Sequence, residues 1–386
     1  MNIDIVFLLT RSDTVGGVQV HIQDLSERLI SDKYNIEVLV GAKSSKNSFI
    51  ESLKKRKIPF KILNNLVKEI NLIDDIKTLY FLIRYFHRNK IKLVSIHSSK
   101  SGILGRIACL ITSTPCIFTA HGWSFNSNPL TSQSKIYSFL EFITQLIPRK
   151  IIAVSNFDRI SAIERKIRRS KLITVYNSVP NINFKRSYNE DKNLDGSRKN
   201  DIRLINVARF DHQKDQISIM KALASIKTKN KWHLDLIGDG PLLSSCKDLA
   251  IKLGINNSVT FHGFVSDTEK FYNLADIFVL MSHWEGFPRS SVEALRSELP
   301  ILVSNVGGSS EAVIDNHNGF VIPHRDSKYL SECLTKLIDD KNLRISMSKI
   351  SKKIFVEKFS YEIFYQKMLS IYDQFILASN NSYTNL

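Results

Sequence analysis

Apolar positions along this chain fall into two alternating rhythms. Short runs of β-branched and apolar residues are followed by longer stretches in which apolar residues recur at helical spacing. Residues 3–10 predict a strand and residues 18–30 a helix; further strands are predicted at 36–40, 93–97, 116–119, 151–155 and 172–176. The same alternation resumes with strands at 203–207, 233–237, 259–261, 277–281, 301–304 and 319–322. Strands that alternate with helices predict parallel sheets covered by helices on both faces. Between the two series, residues 183–201 are polar and charged, with nothing able to fill a core. The pattern therefore predicts two tandem doubly wound α/β domains with a cleft between them: 1–182, a linker at 183–201, and 202–360. Residues 361–378 carry an amphipathic helical pattern, expected to pack back toward the first domain, and 379–386 read as a frayed tail.

Charge changes this picture. Of 54 Lys+Arg and 37 Asp+Glu, residues 1–200 hold 32 and 16, a net of +16, which leaves 22 and 21, a net of +1, for residues 201–386. An excess confined to one half predicts that this half faces an anion: nucleic acid, an anionic leaflet or a phosphorylated acceptor. No run of eighteen apolar residues occurs; 103–120, the nearest, contains Arg106 and Pro115. The first residues open directly into a strand pattern, so no signal peptide is expected, and the four cysteines show no zinc spacing, as in a reduced compartment.

Candidate chemistry gathers where predicted strands end. The most informative stretch is Glu285-Gly286-Phe287-Pro288-Arg289-Ser290-Ser291-Val292-Glu293, which follows one strand and opens a helix. Two carboxylates around such a loop suit a ligand that carries both phosphate and hydroxyls. Arg209 and Lys214, just past the first strand of the second series, can converge on a diphosphate, one as a fork and one as a point charge. Gly16-Gly17 joins the first strand to its helix, where two glycines permit positive φ and close backbone approach. It does not match GxGxxG. Gly238-Asp239-Gly240 and His262-Gly263 fit either a ligand-approaching backbone or ordinary turns. His121-Gly122 stands at a strand end, where α/β sheets bind ligands, or else packs beside Trp123. Gly307-Gly308-Ser309-Ser310-Glu311 reads as a sugar- or anion-contacting loop, or simply as a helix cap.

In this order the motifs, Gly-Gly, His-Gly, Arg-x4-Lys, Gly-Asp-Gly, Glu-x7-Glu and Gly-Gly-x-x-Glu, resemble the retaining glycosyltransferases of family 4, over roughly residues 3–375. The resemblance implies the GT-B fold, two tandem Rossmann-like domains, with the acceptor on the first and a nucleotide sugar on the second. It implies that Arg209 and Lys214 hold the donor diphosphate in place of a metal or other cofactor. Glu293 would accept from the ribose hydroxyls, Glu285 would contact the sugar with the Gly286 and Phe287 amides nearby, and Gly263 would lie at the base. His121 would sit at the reacting face, and Gly17 under the phosphates. Many family members carry Gly where this chain has Pro288, which lacks an N–H.

Together with the basic first half, the resemblance implies a bacterial enzyme moving a hexose or N-acetylhexosamine from UDP to a lipid-diphosphate-linked saccharide of O-antigen or capsule. Such an enzyme would be cytoplasmic and peripheral on the inner membrane. Residues 73–88 and 137–150, aromatic and basic together, are either leaflet-docking segments or core-facing helices. A nucleotide-sugar epimerase on the same fold is the enzymatic alternative. A nucleic-acid-binding protein is the other, but no nucleic-acid motif is found, and nucleic acid is not expected as a partner.

Overall fold

The computed structural model describes residues 2–12, 15–41, 48–67, 69–126, 132–181 and 201–383. The chain divides into two units, residues 1–178 with 361–386, and residues 179–360. Most of the segment read as a linker, 183–201, lies outside the described residues.

In the first unit, seven parallel strands form one sheet: β1 (Asn2–Leu9), β2 (Ile36–Gly41), β3 (Phe60–Leu63), β4 (Lys90–His97), β5 (Cys116–Ala120), β6 (Lys150–Ala153) and β7 (Leu172–Thr174). Their order is β3-β2-β1-β4-β5-β6-β7, so the winding reverses between β1 and β4, where Val6 faces Val94. Helices on both faces give β1 two buried sides. Ile5, Phe7 and Leu9 enter one apolar cluster, with the helix Gly17–Ser31 and the C-terminal helix Tyr361–Tyr383. Val6 and Leu8 enter the other, with helices Leu72–Arg88 and Ser99–Ile111.

Strand β3 is absent from the sequence reading. It is an edge strand whose Lys61 and Ile62 are exposed, so it lacks the continuous apolar run of a buried strand. The C-terminal helix runs on to Tyr383, past residue 378 where the amphipathic pattern ends.

The second unit has six parallel strands: β8 (Ile202–Val207), β9 (Trp232–Ile237), β10 (Val259–Gly263), β11 (Ile277–Leu280), β12 (Ile301–Ser304) and β13 (Gly319–Ile322). The order is β10-β9-β8-β11-β12-β13, and the winding reverses between β8 and β11. Leu204, Leu236, Val279 and Leu302 pack on helices Gln216–Ser225 and Ser327–Asp339 through Met220, Leu223, Leu334 and Leu337. Arg203 and Asp235 on adjacent strands form a buried bidentate pair, and His262 Nε2 lies 2.7 Å from the same carboxylate. Both units are thus doubly wound, as the alternating pattern predicts.

The aromatic, basic segments split between the two readings. On helix Leu72–Arg88, Leu82, Tyr85 and Phe86 are buried, and Tyr85 donates to Glu37. Ile73, Ile76 and Tyr80 on the same helix are exposed. Phe139, Phe142 and Ile143 of helix Ser132–Thr144 are exposed as well. Helical periodicity alone does not tell which apolar stripe meets the sheet.

Candidate functional site

The reversal point of a doubly wound sheet is where two neighbouring strands send their connections to opposite faces, opening a crevice at their carboxyl ends. In the second unit this point lies between β8 and β11, and the two segments that follow these strands are joined by side chains. Lys214, in the short 3-10 turn after β8, pairs through its ammonium with Glu285, in the loop after β11. Ser282 Oγ donates to the same Glu285 oxygen at 2.7 Å. Backbone contacts lock the two loops: His283 N–H donates to Gln213 O at 2.8 Å, and Gln213 Nε2 to Trp284 O at 2.7 Å.

Arg209 precedes Lys214 in the segment after β8, with its side chain 54% exposed and held by an ion pair to Asp211. Its carbonyl accepts from Gln216 Nε2, so its backbone position is set while the guanidinium remains reachable. Two cations and one carboxylate therefore share one strand edge. That combination matches a diphosphate bearing a hydroxylated group.

The glycines of this edge answer what the sequence left open. Gly238, at φ 142°, lies so close to β8 that an ideal Cβ would stand 2.0 Å from Ala208 O. Its amide donates to Gly263 O at 2.8 Å. Packing of one strand-end loop on the next therefore accounts for Gly238, whereas at Gly263, with φ 66°, an added Cβ would meet open space. Gly307, at φ 55°, leads not into a capped α-helix but into the 3-10 turn Ser309–Ala312. An ideal Cβ there would meet Glu285 O at 1.9 Å, and Gly308 N–H donates to Gly286 O at 3.0 Å. The Gly-Gly motif is thus the floor on which the Glu285 loop rests. Gly307→Ala is expected to push that loop off its position and to weaken binding of a nucleoside diphosphate about tenfold or more, since the strain of such a site is about 1–3 kcal/mol. Calorimetric titration with UDP checks this.

Phe287 points inward against Phe359, with ring centroids 5.2 Å apart, so only its backbone borders the loop. Pro288 is the N-cap of helix Arg289–Arg296, at φ −71°, where a missing N–H breaks no intrahelical bond. The departure from the family pattern is therefore accommodated by the fold. Glu293, on that helix, neighbours Tyr272 and Arg296 rather than Glu285. Burial, and then the Glu293 carboxylate, push the Tyr272 hydroxyl well above its ordinary range. Burial also pulls the Arg296 guanidinium down, against the opposing effect of Glu293.

The first unit carries its own cluster at the β1–β4 reversal. Thr10 Oγ1, after β1, lies 3.0 Å from Ser98 Oγ, after β4. Gly16 is the N-cap of helix Gly17–Ser31. Neither Gly16 nor Gly17 takes positive φ, so the expected left-handed turn is not used: Gly16 sits at φ −106°, with its amide held by Gln19 Oε1 at 3.2 Å.

His121 lines a cavity of about 240 Å³ together with Ser98, Ser99, Thr119, Trp123 and Glu141. It is not simply packed on Trp123, whose indole donates to Asp158 O. Instead His121 Nε2 lies 2.8 Å from His97 Nδ1, and His21 packs edge-on at 4.9 Å between ring centroids. Burial, reinforced by His121, holds the His97 pKa well below its ordinary 6.5. The three imidazoles bring ligand nitrogens within 4.8 Å of one another, as a metal site would, but both His97 nitrogens are already engaged, by His121 and by Ser95. Among the described residues Thr119 Oγ1 is buried without a hydrogen-bond partner, a hydroxyl that a ligand can use. The sequence offered no signal for Thr119, Glu141 or His97, which come together only when β4, β5 and helix Ser132–Thr144 are assembled.

The chain matches the family model described as Glycosyltransferase Family 4 over residues 15–181 and the one described as Glycosyl transferases group 1 over residues 187–354. It is 28% identical over 351 residues to an Escherichia coli protein named UDP-Gal:alpha-D-GlcNAc-diphosphoundecaprenol alpha-1,3-galactosyltransferase, covering 88% of this chain and 89% of that protein. It is 29% identical over 322 residues to the capsular polysaccharide biosynthesis glycosyltransferase CapM of Staphylococcus aureus, covering 81% and 84%. Its fold is similar to that of Anabaena HepE, solved in complex with UDP and glucose, at a TM-score of 0.82 and 21% identity over 97% of this chain and all of that one. A family 4 match on the first half and a group 1 match on the second, carried on two Rossmann-like units, make this chain a GT-B glycosyltransferase of the family 4 type.

Proposed function

We propose that this enzyme transfers a hexose or N-acetylhexosamine, with retention at the anomeric carbon, from a UDP-sugar to a lipid-diphosphate-linked saccharide in the assembly of a bacterial surface polysaccharide. The observation that carries the donor half is the Lys214–Glu285 pair across the β8–β11 reversal, with Arg209 exposed in the segment that carries Lys214. In this reading Arg209 and Lys214 receive the diphosphate and stabilise its charge as the sugar departs, without calling on a metal or other cofactor. Glu285 and the Gly286 and Phe287 amides hold the sugar, and Glu293 the ribose. Catalysis is then positioning plus preorganised charge. The names of the Escherichia coli and Staphylococcus aureus relatives support the donor and pathway classes.

The acceptor half rests on charge and exposure. Residues 1–200 hold the net +16 counted above, and helices Leu72–Arg88 and Ser132–Thr144 expose Ile76 at 67% and Phe139 at 64%. Lys77, Arg84 and Arg88 accompany the first of these stripes. Apolar side chains with flanking bases suit an anionic leaflet, where a lipid-linked acceptor resides. No helix among the described residues is long and apolar enough to cross a membrane. Sedimentation with vesicles containing phosphatidylglycerol is expected to retain the wild type. Ile76→Glu with Phe139→Glu should weaken retention at least about tenfold, from the apolar burial forfeited.

The deciding experiment is UDP release from a panel of UDP-sugars with a short lipid-diphosphate saccharide as acceptor. Release that requires acceptor supports transfer, while donor consumption without acceptor would point to the epimerase instead. No release with any pair would refute the reading.

A further inference from the structure

His121 is backed by a sealed line of polar groups. Ser95 and His97, two residues apart on β4, share one face of the strand. The C-terminal helix packs against that strand and brings Tyr372 to it from 277 positions further along the chain. The Tyr372 hydroxyl lies 2.9 Å from Ser95 Oγ, Ser95 Oγ lies 3.0 Å from His97 Nε2, and His97 Nδ1 lies 2.8 Å from His121 Nε2. Ser95, His97 and Tyr372 are all fully buried.

Such a chain can be polarised in two directions. His97 is neutral, since burial and the neighbouring His121 hold its pKa well down, so its ring has one proton to place. If that proton sits on Nε2, His97 donates to Ser95, Ser95 donates to Tyr372, and the Tyr372 proton has no acceptor. Among the described residues Ser95 is the only hydrogen-bond partner of that hydroxyl. A buried donor would then be left unpaired, the costlier kind of unsatisfied group. If the proton sits on Nδ1, Tyr372 donates to Ser95, Ser95 to His97 Nε2, and His97 to His121 Nε2. The protons of Tyr372, Ser95 and His97 then all have acceptors.

We infer that Tyr372, Ser95 and His97 are positioning residues that orient His121 and set its tautomer, with Nε2 accepting from His97 and the ring proton on Nδ1. The inference rests on the proposed place of His121 at the reacting face and adds what the ring does there. In that tautomer Nε2 is occupied as the acceptor from His97 and Nδ1 carries the proton, so His121 has no free lone pair and is not a general base. It also gives the C-terminal helix a part in the site: the hydroxyl that polarises the chain comes from it.

The test uses the full-length protein labelled with ¹⁵N-histidine. Long-range ¹H–¹⁵N spectra separate the two imidazole tautomers, and His121→Asn identifies the His121 signals. The wild type is expected to show His121 with its proton on Nδ1. Tyr372→Phe, which removes only the terminal hydroxyl, and Ser95→Ala should each convert this pattern to a mixture of tautomers. Both should lower kcat roughly tenfold, as loss of orientation does, with KM for the UDP-sugar unchanged. A wild-type His121 protonated on Nε2, or a His121 pattern unaltered in both variants, would overturn the inference. Should both variants alter the tautomer while His121→Ala turns over like the wild type, the hydrogen-bonded chain stands and the role of His121 in transfer fails. An unaltered pattern with an inactive His121→Ala would leave the proposed function standing and remove the positioning chain.

Discussion

Lys214→Ala is expected to lower kcat/KM for the UDP-sugar by about a hundred- to a thousandfold, the scale on which loss of one preorganised charge-stabilising group is felt. Two effects combine. The first is loss of the point charge that would meet the departing diphosphate. The second is local: Glu285, nearly buried, loses the ammonium that neutralises it and, among the described residues, keeps only the Ser282 hydroxyl on its carboxylate. Removing one partner of a buried pair costs about 3–5 kcal/mol because the other charge is stranded. Lys214→Arg is expected to restore little, since a guanidinium fork is longer and flatter than the compact ammonium seated against Glu285.

Glu285→Gln separates the two effects. It frees Lys214 while keeping a hydrogen-bonding group in place, so UDP binding should be retained or tightened even as transfer falls. Arg209→Ala, at an exposed position, should be milder, with about a tenfold loss in UDP affinity. Rates of UDP release with calorimetric UDP titration decide the matter. A Lys214→Ala enzyme within threefold of wild type would sink the assignment.

The second large effect concerns stability. Arg106 is fully buried in the first unit. One guanidinium nitrogen lies 2.6 Å from Glu141, its Nε donates to Gly102 O at 2.7 Å, and its centre stands 4.3 Å over the Phe118 ring. Burial outweighs the guanidinium at Glu141 and pushes its carboxyl above the usual range. The desolvation of the Glu141 carboxylate is therefore not fully offset by its attraction to Arg106. Either single truncation, Arg106→Ala or Glu141→Ala, is expected to destabilise the protein by about 3–5 kcal/mol. At roughly 2–4 °C per kcal/mol for a domain of this size, Tm should fall by on the order of 10 °C.

Arg106→Met with Glu141→Leu removes both charges while keeping volume, and it should lie within about 1–2 kcal/mol of wild type. A double variant as unstable as the singles would show that the pair itself stabilises the unit. Thermal unfolding followed by circular dichroism measures all three. Glu141 also lines the cavity beside His121, so the double variant tests whether its carboxylate matters to the acceptor independently of folding.

The strand-and-helix alternation, the two Rossmann-like domains and the positions of the strand-end loops could all be read along the chain, because each is encoded over a few consecutive residues. A buried parallel strand is a short apolar run, and a strand-end loop is a glycine or a charged residue just after it. Residues 277–281 and Glu285 show this: the run and the carboxylate are adjacent in sequence, and their relation survives folding unchanged. Strand β3 failed the same reading because an edge strand need not be apolar. On helix Leu72–Arg88 both readings stayed open, because Tyr80 and Tyr85 carry the same apolar signal and only Tyr85 is buried.

Chain order by itself determined which residue types stand at the end of which strand, and hence nominated the second half of this protein for a phosphate- and hydroxyl-bearing ligand. Tertiary structure decided which of them meet. Lys214 and Glu285 are 71 positions apart and pair only because the winding of the second sheet reverses between β8 and β11, placing their loops side by side. Gly307 matters because the Glu285 loop rests on it, and His121 is linked through His97 and Ser95 to Tyr372, far along the chain. The physical reason is that hydrogen bonds and ion pairs act over about 3 Å. A spacing along the chain can nominate a side chain, but only the sheet order brings its partner within that reach.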